Sequence, residues 1–299
     1  MDNILSLHNE LVNQTYNHGG YKAFKINDPK PRNIHKANVR DRLLHHAIYR
    51  ILYPFFERTF ITDSYSCRIR KGTHRAVNRF CEFACKASKN NTRSCWILKC
   101  DIKKFFASVD HQILLNILGE YISDGRIILL LKNVIDSFSS EKPGIGISLG
   151  NLTSQLFANI YLNKLDQFIK HKLGTKYYLR YADDFVILSE NKKWLRMQIR
   201  MIQEFLWNDL KFELHNNKVF IRKFNQGIDF LGYVVLPHYR VLRTRTKRRI
   251  FRKIRQKRLD FENGKISEES FNQSLQSYLG ILKHCYGHKV KKRIIEIKT

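Results

Sequence analysis

The chain has 299 residues, 43% of them hydrophobic, which is enough for a sizeable core and two or three packed subdomains. Its formal net charge of +28 favours a partner with a phosphate backbone, because such binding releases counterions. No membrane span is expected, since no stretch approaches about 18 consecutive apolar residues. The six cysteines form no CxxC pair, which favours reduced, buried thiols, with a metal site as the alternative.

The first third of the sequence predicts two helices on either side of a β-compatible segment. Residues 1–20 indicate one helix that ends at His18-Gly19-Gly20. Two extended pieces, Tyr21–Ile26 and Asn33–His35, then flank a proline-containing turn. Apolar side chains at helical spacing predict the second helix over Val39–Phe56.

A loop dense in basic residues covers residues 63–74, and Thr73 is placed to cap the helix that follows. The run Trp96–Ile102 predicts a strand with the carboxylate of Asp101 near its end. Further along we expect helices over residues 105–118 (with Asp110 as a cap), 125–138 and 151–172, and a glycine-punctuated loop over 141–150.

The stretch Tyr177–Leu188 predicts a β-hairpin, because two apolar runs flank the short polar turn at Asp183 and Asp184. Two adjacent carboxylates in an apolar hairpin repel each other unless a cation lies beside them. Mg²⁺ is the usual cation for oxygen ligands. An ordinary Asp-Asp surface turn is the alternative at this point.

The C-terminal part alternates between short strands and basic helices. In chain order it predicts a helix over Lys193–Trp207, strands at Phe212–Leu214, Val219–Phe224 and Asp229–Leu236, a strongly basic helix over Leu242–Arg258, and one or two helices over Ser267–Ile297.

Asp101 and the Asp183-Asp184 pair lie on separate predicted elements. Two-metal phosphoryl transfer needs carboxylates from separate backbone elements, which together hold two Mg²⁺ about 3.5–4 Å apart. A strand-end aspartate and a hairpin pair supply that arrangement if their strands are neighbours in one sheet.

Four ordered motifs, spread over most of the chain, resemble those of reverse transcriptases. Tyr181–Asp184 is similar to the YxDD motif, and Leu98–Phe106 to the first catalytic carboxylate motif. Leu214–Lys218 is similar to the motif D lysine segment, and Phe230–Tyr233 to the primer-grip FLG[YF] motif. Each motif alone is weak, whereas their joint order and spacing are specific.

The segment Leu149–Gln155 resembles the [I/L]GxxxSQ signature of diversity-generating retroelement enzymes, where group II intron enzymes usually carry Pro-Gln-Gly. The segments Asp28–Arg32, Arg40–Arg42 and Asp63–Cys67 fit the same group. The chain departs from the family at Ala182, where valine is common. It departs again in Arg70-Lys71-Gly72-Thr73, where the family has Gly-Lys-Gly-Thr; neither departure touches a catalytic carboxylate.

The resemblance implies two bound Mg²⁺ ions, for which Mn²⁺ can substitute. Their implied ligands are the side chains of Asp101, Asp183 and Asp184 and the backbone carbonyl of Ile102. Lys218 would act as the general acid that protonates pyrophosphate, with an ordinary surface lysine as the alternative.

The resemblance also implies contacts with the incoming dNTP for Lys30, Arg32, Arg42, Phe106 and Gln155. The Phe106 ring would exclude a ribose 2′-hydroxyl, with core packing, as expected for Phe105, as the alternative. Gln155 would lie with Leu149 beside the templating base, and a polar residue at a helix start is the alternative.

Nucleic-acid contacts are implied for one loop, one turn and the basic helix. The residues concerned are Arg68, Arg70, Lys71, Leu149, Gly232, Arg245, Arg248, Arg249 and Arg252. Any single basic residue among them could instead belong to a solvated face.

The implied fold is α+β, a right-hand polymerase with fingers, a palm whose antiparallel sheet is backed by helices, and a short helical thumb. The expected boundaries are 1–95 for the N-terminal helix and fingers, 96–240 for the palm and 241–299 for the thumb. Because the N-terminus lacks a secretion signal, we expect a cytoplasmic protein. The resemblance implies a bacterial or phage origin.

The implied activity is RNA-directed DNA polymerisation that copies a template-repeat RNA with errors at adenine. The implied partners are that RNA, the RNA/DNA primer–template duplex, dNTPs and an accessory variability protein, a basic helical-bundle oligomer. Two alternatives remain: a phage-defence or other bacterial reverse transcriptase, and a non-catalytic RNA-binding scaffold.

Overall fold

The fold was analysed in a computed structural model, which describes residues 2–28 and 31–298. Its helices are α1 (Asp2–Val12), α2 (Val39–Glu57), α3 (Thr73–Ala87), α4 (His111–Gly119), α5 (Gly125–Asp136), α6 (Leu152–Gln167), α7 (Lys192–Leu210), α8 (Thr244–Glu262), α9 (Glu268–Leu282) and α10 (His288–Lys298). Its strands are β1 (Tyr21–Ile26), β2 (Arg32–Ala37), β3 (Trp96–Asp101), β4 (Tyr177–Tyr181), β5 (Asp184–Ser189), β6 (Phe220–Lys223), β7 (Ile228–Phe230), β8 (Tyr233–Val235) and β9 (Arg240–Leu242).

In the described part of the chain the strands form three sheets, and with the helices they give the α+β fold that the sequence predicts. Strands β1 and β2 pair antiparallel, from Tyr21 opposite Ala37 to Ile26 opposite Arg32. Strands β4, β5, β3 and β6 lie side by side in that order, so the hairpin adjoins the strand that ends at Asp101. Strands β7, β8 and β9 form an antiparallel meander.

Contacts divide the chain into two compact units, each with its own core. The first runs up to Gly72 and includes Lys99–Ile187 and Lys193–Phe220. The second comprises Thr73–Leu98, Leu188–Lys192 and the chain from Ile221 onward. The division into fingers, palm and thumb remains a prediction.

Helix α6 is the centre of the first unit. Apolar residues lie on all its sides, which is the pattern of a helix surrounded by protein. It packs against α2 and α4, and its buried Tyr161 donates a hydrogen bond to the Leu210 carbonyl at 2.9 Å. These contacts hold α6 in place, and the β4–β5 hairpin follows this helix along the chain.

In the second unit, Phe80 of α3 stacks on Phe230 of β7 with ring centroids 5.3 Å apart. Helices α8, α9 and α10 pack on one another. Ile250 and Ile254 of α8 are buried, which leaves the basic side chains of that helix on its outer faces. None of the helices in the described part of the chain is long and apolar enough to cross a membrane.

Most predicted elements are confirmed, including the Asp110 cap, whose side chain accepts a hydrogen bond from the Ile113 amide. The first helix ends at Val12 instead of near residue 20, because Gln14 adopts a positive φ of 58° and ends the helix. The predicted strand at Phe212–Leu214 reduces to an isolated bridge between Leu214 and Ile102.

The predicted strand Asp229–Leu236 is in fact two strands. Leu231 and Gly232 both adopt positive φ, 49° and 89°, and this pair reverses the chain between β7 and β8. Such a turn matches the twist of a hairpin. A leucine at the first of the two turn positions concealed the reversal in the sequence.

Candidate active site

The Asp183-Asp184 pair lies at the tip of a buried hairpin. The interior residues of β4 and β5 are buried, and the turn between these strands consists of Ala182 and Asp183. Ala182 has a φ of 52°, a left-handed conformation that a non-glycine residue adopts at some cost in free energy. Asp184 begins β5 directly after this turn.

Backbone hydrogen bonds join the end of β3 to this turn. The Ile102 amide donates to the Asp183 carbonyl at 3.1 Å, and the His215 amide donates to the Asp101 carbonyl at 2.8 Å. Asp101 lies close enough to Asp183 that its charge raises the pKa of the Asp183 carboxyl. The predicted meeting of the strand-end and hairpin carboxylates is therefore present in the structure.

The carboxylates of Asp183 and Asp184 occupy an environment that disfavours their charge. Burial is the main cause that raises the pKa of Asp183, and the charge of Asp101 adds to it. Burial likewise raises the pKa of Asp184 to about 6, against the opposing charge of Lys99. A site of this kind gains free energy when a cation binds.

Two lysines act as counterions of these carboxylates. Lys218 lies 2.6 Å from Asp101 Oδ1, and Lys99 lies 3.0 Å from Asp184 Oδ2. Lys99 is only 14% exposed and was missed in the sequence. Strand alternation could have revealed it, because Lys99 precedes Asp101 by two positions and therefore shares its face of β3.

The carboxylate oxygens of Asp101, Asp183 and Asp184 suit a hard divalent cation, although they do not converge on one point in this structure. The Oδ1 atom of Asp184 is buried without a hydrogen-bond partner, and Asp101 and Asp183 repel each other. Within residues 2–28 and 31–298, no three His, Cys, Asp or Glu side chains form a group that could hold a metal ion. The lysine contacts of Asp101 and Asp184 supply a physical reason, since each carboxylate faces an ammonium group.

Two neighbouring segments complete the surroundings of the site. The charge of Arg32 acts on Asp183 and opposes the rise of its pKa. The Phe106 carbonyl accepts a hydrogen bond from the Ile147 amide at 2.8 Å, and the Phe106 ring is half-buried. Its neighbour Phe105 is buried against Phe212 with ring centroids 5.3 Å apart, which confirms core packing for Phe105.

The segment that precedes α6 is fastened to β2. The Leu149 carbonyl accepts from the His35 amide at 2.8 Å. The side chain of Asn151 accepts from the Ala37 amide at 3.1 Å and donates to the His35 carbonyl at 2.9 Å. Gln155 is half-buried one turn into α6. This predicted template-side segment is therefore coupled to the β1–β2 hairpin.

The comparison with known families decides the identity of this fold. A sequence profile described as reverse transcriptase (RNA-dependent DNA polymerase) matches residues 25–235, which is more than half of the chain. The chain belongs to the reverse transcriptase family.

Two relatives and two solved structures illustrate the similarity. The chain is 27% identical to protein YkfC of Escherichia coli over 65% of this chain and 60% of that protein. It is 24% identical to the group II intron-encoded protein LtrA of Lactococcus lactis over 84% of this chain and 49% of that protein. The reverse transcriptase chain thus spans between half and three-fifths of these relatives.

The structural similarity extends to telomerase. Apo telomerase from Candida tropicalis matches with a TM-score of 0.60 at 12% identity, over 94% of this chain and 62% of that one. The same enzyme truncated from its C-terminal domain matches with a TM-score of 0.56 at 14% identity, over 81% and 60%. At this level of identity the match shows the fold, which is the right-hand polymerase fold.

Arg68 is a correction to the predicted nucleic-acid contacts of this reverse transcriptase. Its side chain is only 4% exposed, and it donates to both Glu57 carboxylate oxygens and to the Ile61 carbonyl. A guanidinium engaged in this way is not available to a phosphate. Arg68 instead fastens the basic loop to the end of α2.

The other predicted contacts of the reverse transcriptase remain predictions. Arg70 is exposed, Lys71 donates to the Thr62 carbonyl, and Arg42 carries a buried Nε atom without a hydrogen-bond partner. Lys30 lies outside the described residues. Gly232 occupies the β7–β8 turn, and its carbonyl accepts from the Arg243 amide at 3.0 Å.

Helix α8 presents a basic face that fits a phosphate backbone. Arg245, Arg248 and Arg252 are exposed, and Arg249 is half-buried. Their spacing of three and four residues places these side chains along one side of the helix. The prediction that they bind nucleic acid by charge is consistent with this placement.

We expect divalent cations to stabilise the reverse transcriptase more at pH 7.5 than at pH 5. The pKa of Asp184 in the folded state, about 6, exceeds its ordinary value of 3.8. The metal-free folded state therefore retains a proton that the unfolded state releases, and the free energy of unfolding falls as pH rises through this window. A cation that binds the ionised carboxylates restores that free energy above pH 6.

Thermal unfolding with saturating Mn²⁺ and with EDTA measures this effect. The Mn²⁺-induced rise in Tm should be roughly 2–4 °C larger at pH 7.5 than at pH 5. The Asp184→Asn variant, which cannot titrate at this position, should show a much smaller difference between the two pH values. Equal cation shifts of the wild-type chain at both pH values contradict the prediction.

A second prediction concerns Gly150. Its φ is 119°, and a Cβ atom there would lie 2.6 Å from Ile34 Cγ2. Gly150→Ala should therefore lower the free energy of unfolding by roughly 2–4 kcal/mol, measured by chemical denaturation. Gly144→Ala is the matched control, because φ is 73° there and nothing lies within 4 Å of the added Cβ. The control should lose only about 1 kcal/mol, and equal losses for both variants contradict the proposed contact.

Proposed function

We propose that this chain is an RNA-directed DNA polymerase that extends a primer on an RNA template with dNTPs. The observation that carries the proposal is the proximity of Asp101 to the Asp183-Asp184 turn within a reverse transcriptase fold. The net charge of +28 and the basic face of α8 support a nucleic-acid substrate. The retained carboxylates argue against a non-catalytic scaffold.

Asp101 and Asp183, with the Ile102 carbonyl, are the proposed ligands of two Mg²⁺ ions, and Asp184 is a weaker ligand. When bound, these ions activate the primer 3′-hydroxyl and neutralise charge on the triphosphate. We propose that Arg32, whose charge lowers the pKa of Asp183, binds the triphosphate. Lys218 pairs with Asp101, and we propose that its ammonium group would act as the general acid that protonates the pyrophosphate.

The biological role that we propose is diversity-generating retrohoming with a template-repeat RNA. The support is the Leu149–Gln155 signature and the hydrogen bonds that attach this segment to β2. These bonds couple the segment that we expect beside the templating base to the β1–β2 hairpin. An accessory variability protein is the proposed partner. A phage-defence or other bacterial reverse transcriptase is the second candidate, and it keeps the same chemistry.

Sequencing of cDNA made with the accessory protein present tests this role. We expect errors opposite template adenine to exceed errors opposite the other three bases. A template/variable repeat pair in the DNA around the gene is the companion observation. Products without excess adenine errors, from a locus without such repeats, contradict the diversification role and favour the second candidate.

A further inference from the structure

Arg180 and Asp166 form a buried ion pair beneath the catalytic turn. Their side chains are 1% and 0% exposed. Arg180 Nε donates to Asp166 Oδ1 at 2.7 Å, and Nη2 donates to Oδ2 at 2.6 Å. A buried ion pair is seldom more stable than apolar side chains of the same size, because both ions lose their hydration. Stability alone therefore does not account for this pair.

The third nitrogen of the guanidinium reaches the turn. Arg180 Nη1 donates to the Ala182 carbonyl at 3.2 Å and to Asn159 Oδ1 at 3.4 Å. Ala182 is the residue with the left-handed φ of 52°. Because a peptide unit is planar, a bond to the Ala182 carbonyl also fixes the amide and Cα of Asp183. The guanidinium is thus one peptide unit away from a proposed metal ligand.

The backbone of Arg180 is held as well. Its amide donates to the Asp63 carbonyl at 3.0 Å, and its carbonyl accepts from the Tyr65 amide at 2.9 Å. Asn159 donates to the Ser66 carbonyl at 3.0 Å. The segment Asp63–Ser66 therefore holds the backbone of Arg180 in place beside β4. The Arg180 side chain in turn restricts the position of the turn through its bond to the Ala182 carbonyl.

We propose that Arg180 is a positioning residue that orients Asp183 through the Ala182 carbonyl, and that Asp166 holds the guanidinium for this task. The proposal rests on the proposed function for its kinetic consequence. Lysine cannot replace Arg180 here, because one ammonium group cannot match both oxygens of Asp166 and also reach Ala182 and Asn159.

The Arg180→Lys variant tests the proposal. We expect kcat for dTTP addition to fall about 10- to 100-fold, as for other residues that orient metal ligands, with KM for dTTP and Kd for primer–template close to wild type. The affinity of the substrate-free chain for Mn²⁺ should also fall about 10- to 100-fold. Electron paramagnetic resonance of the free ion measures this affinity. This second readout does not depend on activity.

Tyr178→Phe is the matched control. The Tyr178 hydroxyl donates to Asp166 Oδ1 at 2.6 Å, so its loss disturbs the same buried carboxylate but leaves the Arg180 contact with Ala182. We expect wild-type kcat and Mn²⁺ affinity for this variant. A defect as large as that of Arg180→Lys would assign both effects to general packing and overturn the proposal.

A triple variant, Arg180→Met with Asp166→Leu and Tyr178→Phe, separates orientation from folding. It replaces the ion pair and its tyrosine partner together and leaves Asn159 with its bond to the Ser66 carbonyl, so it should unfold at a temperature near that of the wild type. We expect it to retain the defects in kcat and Mn²⁺ affinity. Wild-type values in this variant, or in Arg180→Lys, overturn the proposal, and the triple variant decides if Arg180→Lys does not fold.

The two proposals fail in distinguishable ways. If the wild-type chain incorporates no nucleotide, the proposed function fails and Mn²⁺ binding decides the role of Arg180. A weaker Mn²⁺ affinity in Arg180→Lys, but not in Tyr178→Phe, then still supports positioning. Unchanged affinity in both variants overturns it.

Discussion

We expect the Asp183→Asn variant to incorporate nucleotides on the order of 10³-fold more slowly than the wild-type chain, a loss of about 4 kcal/mol of transition-state stabilisation. Asp183 is the turn carboxylate that lies beside Asp101, and the Ile102 amide holds its backbone. An asparagine keeps the shape of the side chain but supplies a weaker, neutral ligand. Single-turnover primer extension in Mg²⁺ measures the effect.

The same variant should fold at least as stably as the wild type in EDTA at pH 7.5. Burial and Asp101 raise the pKa of Asp183, so its charge destabilises the folded state at this pH and a neutral side chain removes that cost. Thermal unfolding and primer–template binding provide the controls. Substantial activity in Asp183→Asn contradicts the metal-ligand role, whereas a large loss of stability contradicts the electrostatic description of the site.

The second large effect concerns the choice of sugar. Phe106→Val should raise the kcat/KM for rNTPs relative to dNTPs by on the order of 10²-fold, because the smaller side chain no longer excludes the 2′-hydroxyl. The half-buried Phe106 follows the strand that ends at Asp101, and its carbonyl is fixed by the Ile147 amide. Paired primer extensions with dTTP and UTP measure the ratio.

Phe105→Val is the matched control for this prediction. Phe105 is buried against Phe212, so its truncation should lower the free energy of unfolding by roughly 2–4 kcal/mol. Its sugar selectivity should remain that of the wild type. No selectivity change in Phe106→Val, or an equal change in Phe105→Val, contradicts the gate role of Phe106.

Local patterns in the sequence were sufficient for much of the fold. The β4–β5 hairpin was predictable because its apolar strands and polar turn are adjacent in the chain. The meeting of Asp101 with Asp183 was predictable only on the condition, met in the structure, that the strand ending at Asp101 neighbours the hairpin in one sheet. By contrast, the β7–β8 turn was hidden, since a leucine in a left-handed conformation looks like part of an apolar strand.

Long-range polar pairings were the main feature that the sequence did not reveal. The spacing of charges does not show that Asp166 on α6 receives Arg180 from β4, or that Glu57 receives Arg68. The sequence does not distinguish an arginine that binds the phosphate of a nucleic acid from one that pairs with a buried carboxylate of the same protein. Lys99 is different, since its place on the Asp101 face of β3 was readable from strand alternation.

Primer extension on poly(rA) annealed to oligo(dT) is the most direct measurement of the central claim. We predict Mg²⁺-dependent dTTP incorporation by the purified wild-type chain, with the accessory protein added if the chain alone is inactive. EDTA should abolish this incorporation, and the Asp183→Asn substitution should slow it on the order of 10³-fold. A wild-type chain that is folded and binds the primer–template, yet adds no nucleotide with Mg²⁺ or Mn²⁺ under either condition, contradicts the assignment of Asp101, Asp183 and Asp184 as a polymerase active site.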